Sequence, residues 1–298
     1  MQLKLAPFVL QHLLERDAKR ERRQLAKRKI KGPDATDLSR ATPAEIVKAF
    51  AGQLQLLGTS EHHLNIKCLP TGLKSLDAAI GLTGIPLGRV IELYGPESVG
   101  KTAMALHIAG CAQRAGGKVA YVDAENAVDL DQARWFVNVD DMLIAQPDFG
   151  EKALDLVCDL TLRKAADVII IDSVSALVPQ KELEEGGGGL ALQARMMSEY
   201  LRKIPGLAAR SGTIIIFINQ IRMKLNVRWG NPETTSGGQA LKYYASLRID
   251  MRKTATVKKG DKPVGIANRV KIVKNKVAAP FRECELVLIW GKGYQEKG

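Results

Sequence analysis

No apolar stretch in this chain approaches the length of a membrane span. The longest runs, such as Val168 to Ile171 and Ile214 to Ile218, reach about five residues, against the ~20 a spanning helix needs. An integral membrane protein is excluded on that count, and no membrane partner is expected. Met1 to Leu10 has too short an apolar stretch for a secretory signal, and basic residues follow it. Cysteine is scarce. Cys68, Cys111, Cys158 and Cys284 have neither metal-ligand spacing nor the density of a disulfide framework. They read as reduced thiols of a cytoplasmic protein. What the chain has is bulk: 298 residues, 46% of them hydrophobic, enough to fold around its own core.

Acidic residues are too few to balance the basic ones, and the formal net charge is +12. The excess sits at the ends. Residues 1–31 carry ten basic and three acidic side chains, and residues 252–298 carry twelve and four. Two basic ends around a near-neutral centre point to a polyanionic partner, nucleic acid first.

Periodicity divides the chain. Residues 8–30 read as a helix, apolar at its start and charged after Arg16, stopped by Gly32-Pro33. After a polar linker, Thr42-Pro43-Ala44-Glu45 is a helix start. Thr42 can cap, Pro43 suits the first position, and Glu45 can reach back. Ile46, Val47, Phe50, Leu54 and Leu57 extend that helix over 43–57. From about residue 70, strands and helices alternate. Strands are expected at 90–93, 119–122, 168–171 and 214–218, and helices at 102–114, 151–165 and 191–210. Val- and Ile-rich strands separated by helices imply a mainly parallel α/β sheet covered on both faces. Residues 247–251, 269–273 and 285–290 read as antiparallel additions to its edge. The expected organisation is a basic arm at 1–33, a linker and helix at 34–69, and one core at 70–298.

Gly95-Pro96-Glu97-Ser98-Val99-Gly100-Lys101-Thr102 fits GxxxxGK[ST] between a strand and a helix. Its backbone N–H groups can curl around phosphate at the helix N-terminus. Lys101 can reach the β- and γ-phosphates, and the Thr102 hydroxyl can hold Mg²⁺. Asp172 closes a buried strand, where a parallel sheet gathers its ligand groups, and is the second Mg²⁺ partner. Asp123 and Glu125 follow a neighbouring strand. Glu125 is the candidate for activating water and Asp123 its rival, and spacing does not separate them. Gln220 closes the strand 214–218 and is placed to sense the γ-phosphate. The long segment 221–238 follows it.

Residues 70–290 closely resemble the bacterial RecA recombinases. The match lies in the phosphate loop, in Asp123-Ala124-Glu125 and in Ile171-Asp172-Ser173. It continues through Phe217 to Lys224, through Gly230 to Gly238, and through Val273 to Phe281. The last three are not shared by generic P-loop ATPases. The resemblance implies the RecA-type P-loop core and a DNA-dependent ATPase using ATP and Mg²⁺. It implies a helical filament of this chain on single-stranded DNA, which pairs and exchanges strands with a homologous duplex in DNA repair. A paralogue acting as an accessory or regulatory filament, without strand exchange, is the alternative.

On the family's pattern, Lys274 and Lys276 reach the neighbouring subunit's ATP, and Asp129 joins the nucleotide-contacting set. DNA would lie in two loops, 182–190 and 221–238. The contacts the resemblance implies are Gly188, Gly189 and Leu190 in the first loop, with Arg195 and Arg202 on the helix after it. In the second they are Arg222, Met223, Lys224, Leu225, Asn226, Glu233, Ser236, Gly237 and Gly238. Leu190 and Leu225 match positions where an apolar side chain wedges between bases.

Departures from the family are also present. Residues 184–189 are glycine-richer. Gln132 stands where the bacterial pattern has a tyrosine against the adenine, so a weaker base contact is expected. The chain stops at Gly298, so the family's C-terminal domain is not expected. Residues 1–31 form an extra basic arm, expected to take over part of that domain's DNA role.

Overall fold

The structure, a computed structural model, describes residues 38–50, 54–56, 66–187, 189–223 and 233–297. Two compact units divide at Asn65/Ile66. The expected helix over 8–30 and the basic arm lie outside the described residues.

In the first unit, α1 spans Pro43–Ala49. The Thr42 hydroxyl accepts from the backbone N–H of Glu45, whose carboxylate accepts from the Thr42 N–H at 2.8 Å. The cap is as the sequence implied, but the helix is shorter than 43–57: residues 54–56 are not helical. It fully buries none of its own residues, and a short helix with little packed apolar surface has little to extend it.

The second unit runs β1 (Cys68–Leu69), α2 (Lys74–Ile80), β2 (Ile85–Pro86), β3 (Val90–Gly95), α3 (Lys101–Arg114), β4 (Val119–Asp123), α4 (Leu130–Ala133), β5 (Met142–Ala145), α5 (Gly150–Leu162) and β6 (Val168–Asp172). It continues through α6 (Gln180–Glu185), α7 (Gly189–Leu201), α8 (Ile204–Ser211), β7 (Ile214–Met223), β8 (Glu233–Thr235), α9 (Ala240–Tyr244), β9 (Leu247–Lys259), β10 (Lys262–Asn275), β11 (Glu283–Ile289) and β12 (Gly293–Glu296). The main sheet has the order β12-β11-β10-β9-β3-β7-β6-β4-β5, with β8 paired to β7 off that path.

Strands β3, β4, β5, β6 and β7 pair parallel with one another because β3, β4, β5 and β6 are each followed by helix that carries the chain back. Their side chains alternate between two cores. Ile170, Ile214, Ile216 and Ile218 face the layer holding Met104 and Ile108 of α3. Ile169, Ile171, Ile215 and Phe217 face the layer holding Leu154, Met197 and Ile204 of α5, α7 and α8. Burial on both faces is why these strands read as unbroken apolar runs.

Other expectations are also revised. Residues 247–251 do not begin an antiparallel addition: β9 pairs parallel with β3, and the antiparallel part starts at β10. The helix over 191–210 is two helices, α7 and α8. Pro205 lacks an N–H and would clash with the carbonyl of Leu201, so α7 ends there and the proline sits in the first turn of α8. The first DNA region is not a loop over 182–190, since α6 reaches Glu185 and α7 starts at Gly189. The edge strand β5 was not expected at all.

Candidate active site

The phosphate loop joins β3 to α3. Gly100 sits at φ +81° immediately before α3, a conformation L side chains rarely adopt, and no side chain caps the helix there. The first-turn N–H groups are therefore available to an anion. The Lys101 ammonium donates to the carbonyls of Gly95 (3.1 Å) and Pro96 (2.6 Å). Burial pulls its pKa down, against the pull of Asp172, Glu97 and Glu125. Two side chains from the antiparallel strands brace the loop. Asn268 Nδ2 donates to the Val99 carbonyl at 3.0 Å, and the Tyr294 hydroxyl donates to the Gly100 carbonyl at 3.0 Å.

Asp172 closes β6 beside the loop. Its Oδ2 accepts from Thr102 Oγ1 at 2.7 Å and from the Tyr121 hydroxyl at 2.8 Å. Burial pushes the Asp172 carboxyl above its ordinary value, and Glu125 and Asp123 push the same way, against the two donated hydrogen bonds. A hydroxyl and a carboxylate in contact at the start of a phosphate-binding helix fit Mg²⁺, which is commonly held by one or two protein oxygens plus phosphate and water. Among the described residues no group of three or more His, Cys, Asp or Glu forms a metal cage.

The two rival carboxylates have different partners. Asp123 is 1% exposed and accepts from the N–H groups of Ala127 and Val128 and from Gln146 Nε2, so it is committed to the turn. Glu125 is exposed. It accepts from the Ser173 hydroxyl and, at 3.4 Å, from the side-chain amide of Gln220. Asp129 caps α4, and the Gln132 amide turns onto its carboxylate at 2.8 Å.

Next to Gln220, Asn219 is fully buried. Its amide donates to Glu92 Oε1 at 2.9 Å and to the carbonyl of Ser236 at 3.0 Å. Arg248 closes on the other oxygen of Glu92 at 2.5 Å and lies over the Tyr94 ring. The far end of segment 221–238 is thereby tied to the strand that carries the phosphate loop. The segment begins and ends as a ribbon, with Ile221 opposite Thr235 and Met223 opposite Glu233. Arg222 Nε donates to Ser236 Oγ at 3.4 Å. Glu233 receives a fork from Arg252 at 2.9 and 2.6 Å. Gly237, at φ +79°, leaves no room for a Cβ, which would stand 2.7 Å from Val174 Cγ1.

Lys274 and Lys276 of β10 and its following turn meet the C-terminal carbonyls of α9. Lys274 Nζ donates to Lys242 O (2.5 Å) and Tyr243 O (2.8 Å), and Lys276 Nζ donates to Tyr243 O (3.0 Å). Burial, then Lys276 and Arg248, lowers the Lys274 pKa to about 8.

Of the DNA candidates, Arg195 and Arg202 are exposed, and Leu190 and Met223 expose 85% and 63% of their surface. Gly189 starts α7. Gly188, Lys224, Leu225 and Asn226 lie outside the described residues. Three residues beside the site were not singled out from the sequence: Tyr121, Trp135 and Trp290. A cavity of about 350 Å³ next to Ser98 and Thr102 is lined by Gln132, Trp135, Leu288 and Trp290 among others. Nothing in the spacing of these tryptophans announces them.

A strand, a phosphate loop and a helix, with an aspartate closing a neighbouring parallel strand, define a P-loop nucleoside triphosphatase. Residues 38–295 match the family described as the RecA N-terminal domain. Protein RecA of Geobacter metallireducens is 52% identical over 259 residues, covering 86% of this chain and 76% of the relative. Protein RecA of Citrifermentans bemidjiense is 49% identical over 274 residues, covering 91% and 80%. The crystal structure of the RadB recombinase superposes with a TM-score of 0.58 at 20% identity, covering 77% of this chain and all of that one, a likeness of fold. The chain belongs to the RecA family.

Proposed function

We propose that this chain polymerises with ATP on single-stranded DNA and exchanges strands with a homologous duplex. Membership of the family makes it a DNA-dependent ATPase and recombinase that binds DNA and forms filaments. The finer reading rests on one observation above the others: Gln220, at the mouth of segment 221–238, bonds the carboxylate of Glu125 beside the phosphate loop. A DNA-facing segment and a hydrolytic carboxylate then share a contact.

In this reading Lys101 and the first turn of α3 bind the phosphates. Thr102 and Asp172 hold Mg²⁺, which when bound offsets phosphate charge. Glu125 orients the attacking water and takes its proton. Gln220 exchanges Glu125 for the γ-phosphate and moves the segment behind it. Lys274 and Lys276 leave the carbonyls of α9 for the neighbouring subunit's phosphates, where two cations offset charge as it develops. The base lies against the aromatic wall of Trp135 and Trp290, with Asp129 and Gln132 at its rim. The aromatic wall supplies stacking where the sequence offers Gln132.

DNA follows α7 and the ribbon at the base of 221–238. Arg195, Arg202 and Arg222 meet phosphates, and the backbone at Gly188, Gly189, Gly237 and Gly238 approaches closely. Leu190 and Leu225 wedge between bases. Met223, Lys224, Asn226 and Ser236 complete the lining, and Glu233 holds its shape through Arg252.

The test is ATP hydrolysis with and without single-stranded DNA, comparing the native chain with Glu125→Gln. DNA-stimulated turnover that drops about 10²–10⁴-fold in the variant, with nucleotide still bound, is expected. Turnover indifferent to both DNA and the substitution would overturn the assignment.

A further inference from the structure

Asp172 is held by more than its P-loop partner. Tyr121, on the strand next to β6, is 2% exposed, and its hydroxyl donates to Asp172 Oδ2 at 2.8 Å. Thr102 donates to that same oxygen at 2.7 Å. Among the described residues, no hydrogen bond reaches the other carboxylate oxygen. Two donors on one oxygen fix the rotation of a carboxylate, and one oxygen is left open.

The contact also has an energetic oddity. Tyr121 stands among Val119, Ala120 and Val122 in a strand buried on both faces. Phenylalanine would fill the same space there without a hydroxyl to satisfy. The hydroxyl is spent on the one carboxylate that the site offers to a cation.

We propose that Tyr121 is a positioning residue for magnesium, acting through Asp172. Its hydroxyl holds the carboxylate in one orientation, so that the free oxygen faces the cation's coordination sphere. The Thr102 hydroxyl can give a lone pair to the cation and still donate its proton to Asp172, so its position follows the cation. Tyr121, fixed in a buried strand, holds the carboxylate with or without magnesium. The proposal rests on that magnesium reading. Partners of this outer kind typically change metal affinity by about 10–100-fold.

The experiment is a magnesium titration of the full chain with a fluorescent nucleotide held at fixed concentration. It reads the magnesium concentration at half-maximal binding, and separately the nucleotide affinity in excess chelator. Tyr121→Phe is expected to raise the magnesium midpoint roughly tenfold, the low end of that range, and to leave the chelator value unchanged. Ile170→Val is the structural control. Ile170 lies opposite Tyr121 in the β4–β6 pairing, so this change loosens the same core without touching Asp172. Its midpoint stays at the native value.

A double-mutant cycle with Asp172→Asn completes the test. The effect of Tyr121→Phe is expected to vanish in that background, where the carboxylate it orients is gone. A midpoint unmoved in Tyr121→Phe, or moved equally by Ile170→Val, overturns the proposal. So does an equal shift with Asp172→Asn already in place. If Asp172→Asn alone leaves the midpoint unchanged, the magnesium reading itself fails, and the proposal falls with it.

Discussion

Gln220 and Glu125, 95 residues apart, meet through an amide-to-carboxylate hydrogen bond of 3.4 Å. Gln220 follows the buried part of β7 and Glu125 follows β4, with β6 between them in the sheet. Parallel strands bring both to the same edge, so a contact between the carboxylate and the root of segment 221–238 follows from the strand order.

Replacing Gln220 by Ala is expected to separate hydrolysis from DNA binding. The lost hydrogen bond is one to an anionic oxygen, worth about 1.5–3 kcal/mol, so nucleotide affinity falls by roughly 10–100-fold. DNA stimulation of ATP hydrolysis is lost. Turnover measured across a DNA titration checks this, and undiminished stimulation would count against the coupling.

Glu92 is fully buried, and its partner Arg248 is 15% exposed. Removing one member of such a pair strands the other, at a cost of about 3–5 kcal/mol. Arg248 keeps some water, so Glu92→Gln is expected near the lower figure. Urea unfolding is the measurement. The expected outcome is a lower midpoint at an unchanged slope. Because Asn219 also bonds Glu92, the Ser236 end of the segment loosens with it.

Lys274 should titrate early. Its pKa is lowered to about 8 from an ordinary 10.5, chiefly by burial. The unfolded chain keeps this proton up to the ordinary value, so between those two pH values the unfolded state binds more protons. The group's destabilising contribution is therefore present in full below about pH 8 and is relieved as pH climbs toward 10.5. Amine acylation followed by peptide mass spectrometry reads it directly. The rate at Lys274 is expected to reach half its plateau near pH 8, and a midpoint near 10.5 would contradict the structure.

Asn268→Ala removes a brace from the phosphate loop, since Asn268 donates to the Val99 carbonyl from a fully buried position. Loss of a buried hydrogen bond that leaves a carbonyl unpaired costs about 1–3 kcal/mol. Thermal unfolding should show the loss, and nucleotide affinity should fall as the loop relaxes. A variant as stable as the native chain would mean that the loop holds itself.

Much of this was legible in the chain because the chemistry is local. The phosphate loop is eight consecutive residues, and Asp172 is marked by the apolar run before it. The unbroken Ile and Val runs gave the parallel sheet for the same reason. What was not legible depends on partners far away in sequence. Asp123 and Glu125 are two residues apart and alike in type. The Ala127 and Val128 N–H groups and the Gln146 amide at Asp123, against the Ser173 hydroxyl and the Gln220 amide at Glu125, separate them. Tyr121 looks like apolar filler until Asp172 stands opposite its hydroxyl. Trp135 and Trp290 line one cavity beside the phosphate loop only because the end of β11 folds back beside the turn that follows α4. Pro205 breaks the helix expected over 191–210 into α7 and α8, although apolar residues recur at helical spacing on both sides of it. The edge strand β5 is four residues with two exposed side chains, too little pattern to announce a strand.

The central claim is that ATP bound at the phosphate loop drives homologous pairing of DNA. Joint-molecule formation between homologous single- and double-stranded DNA, with ATP and Mg²⁺, tests it most directly when the native chain is compared with Lys101→Ala. The account predicts joint molecules from the native chain and none from the variant. DNA binding and ATP turnover by the native chain without any joint molecules would contradict it.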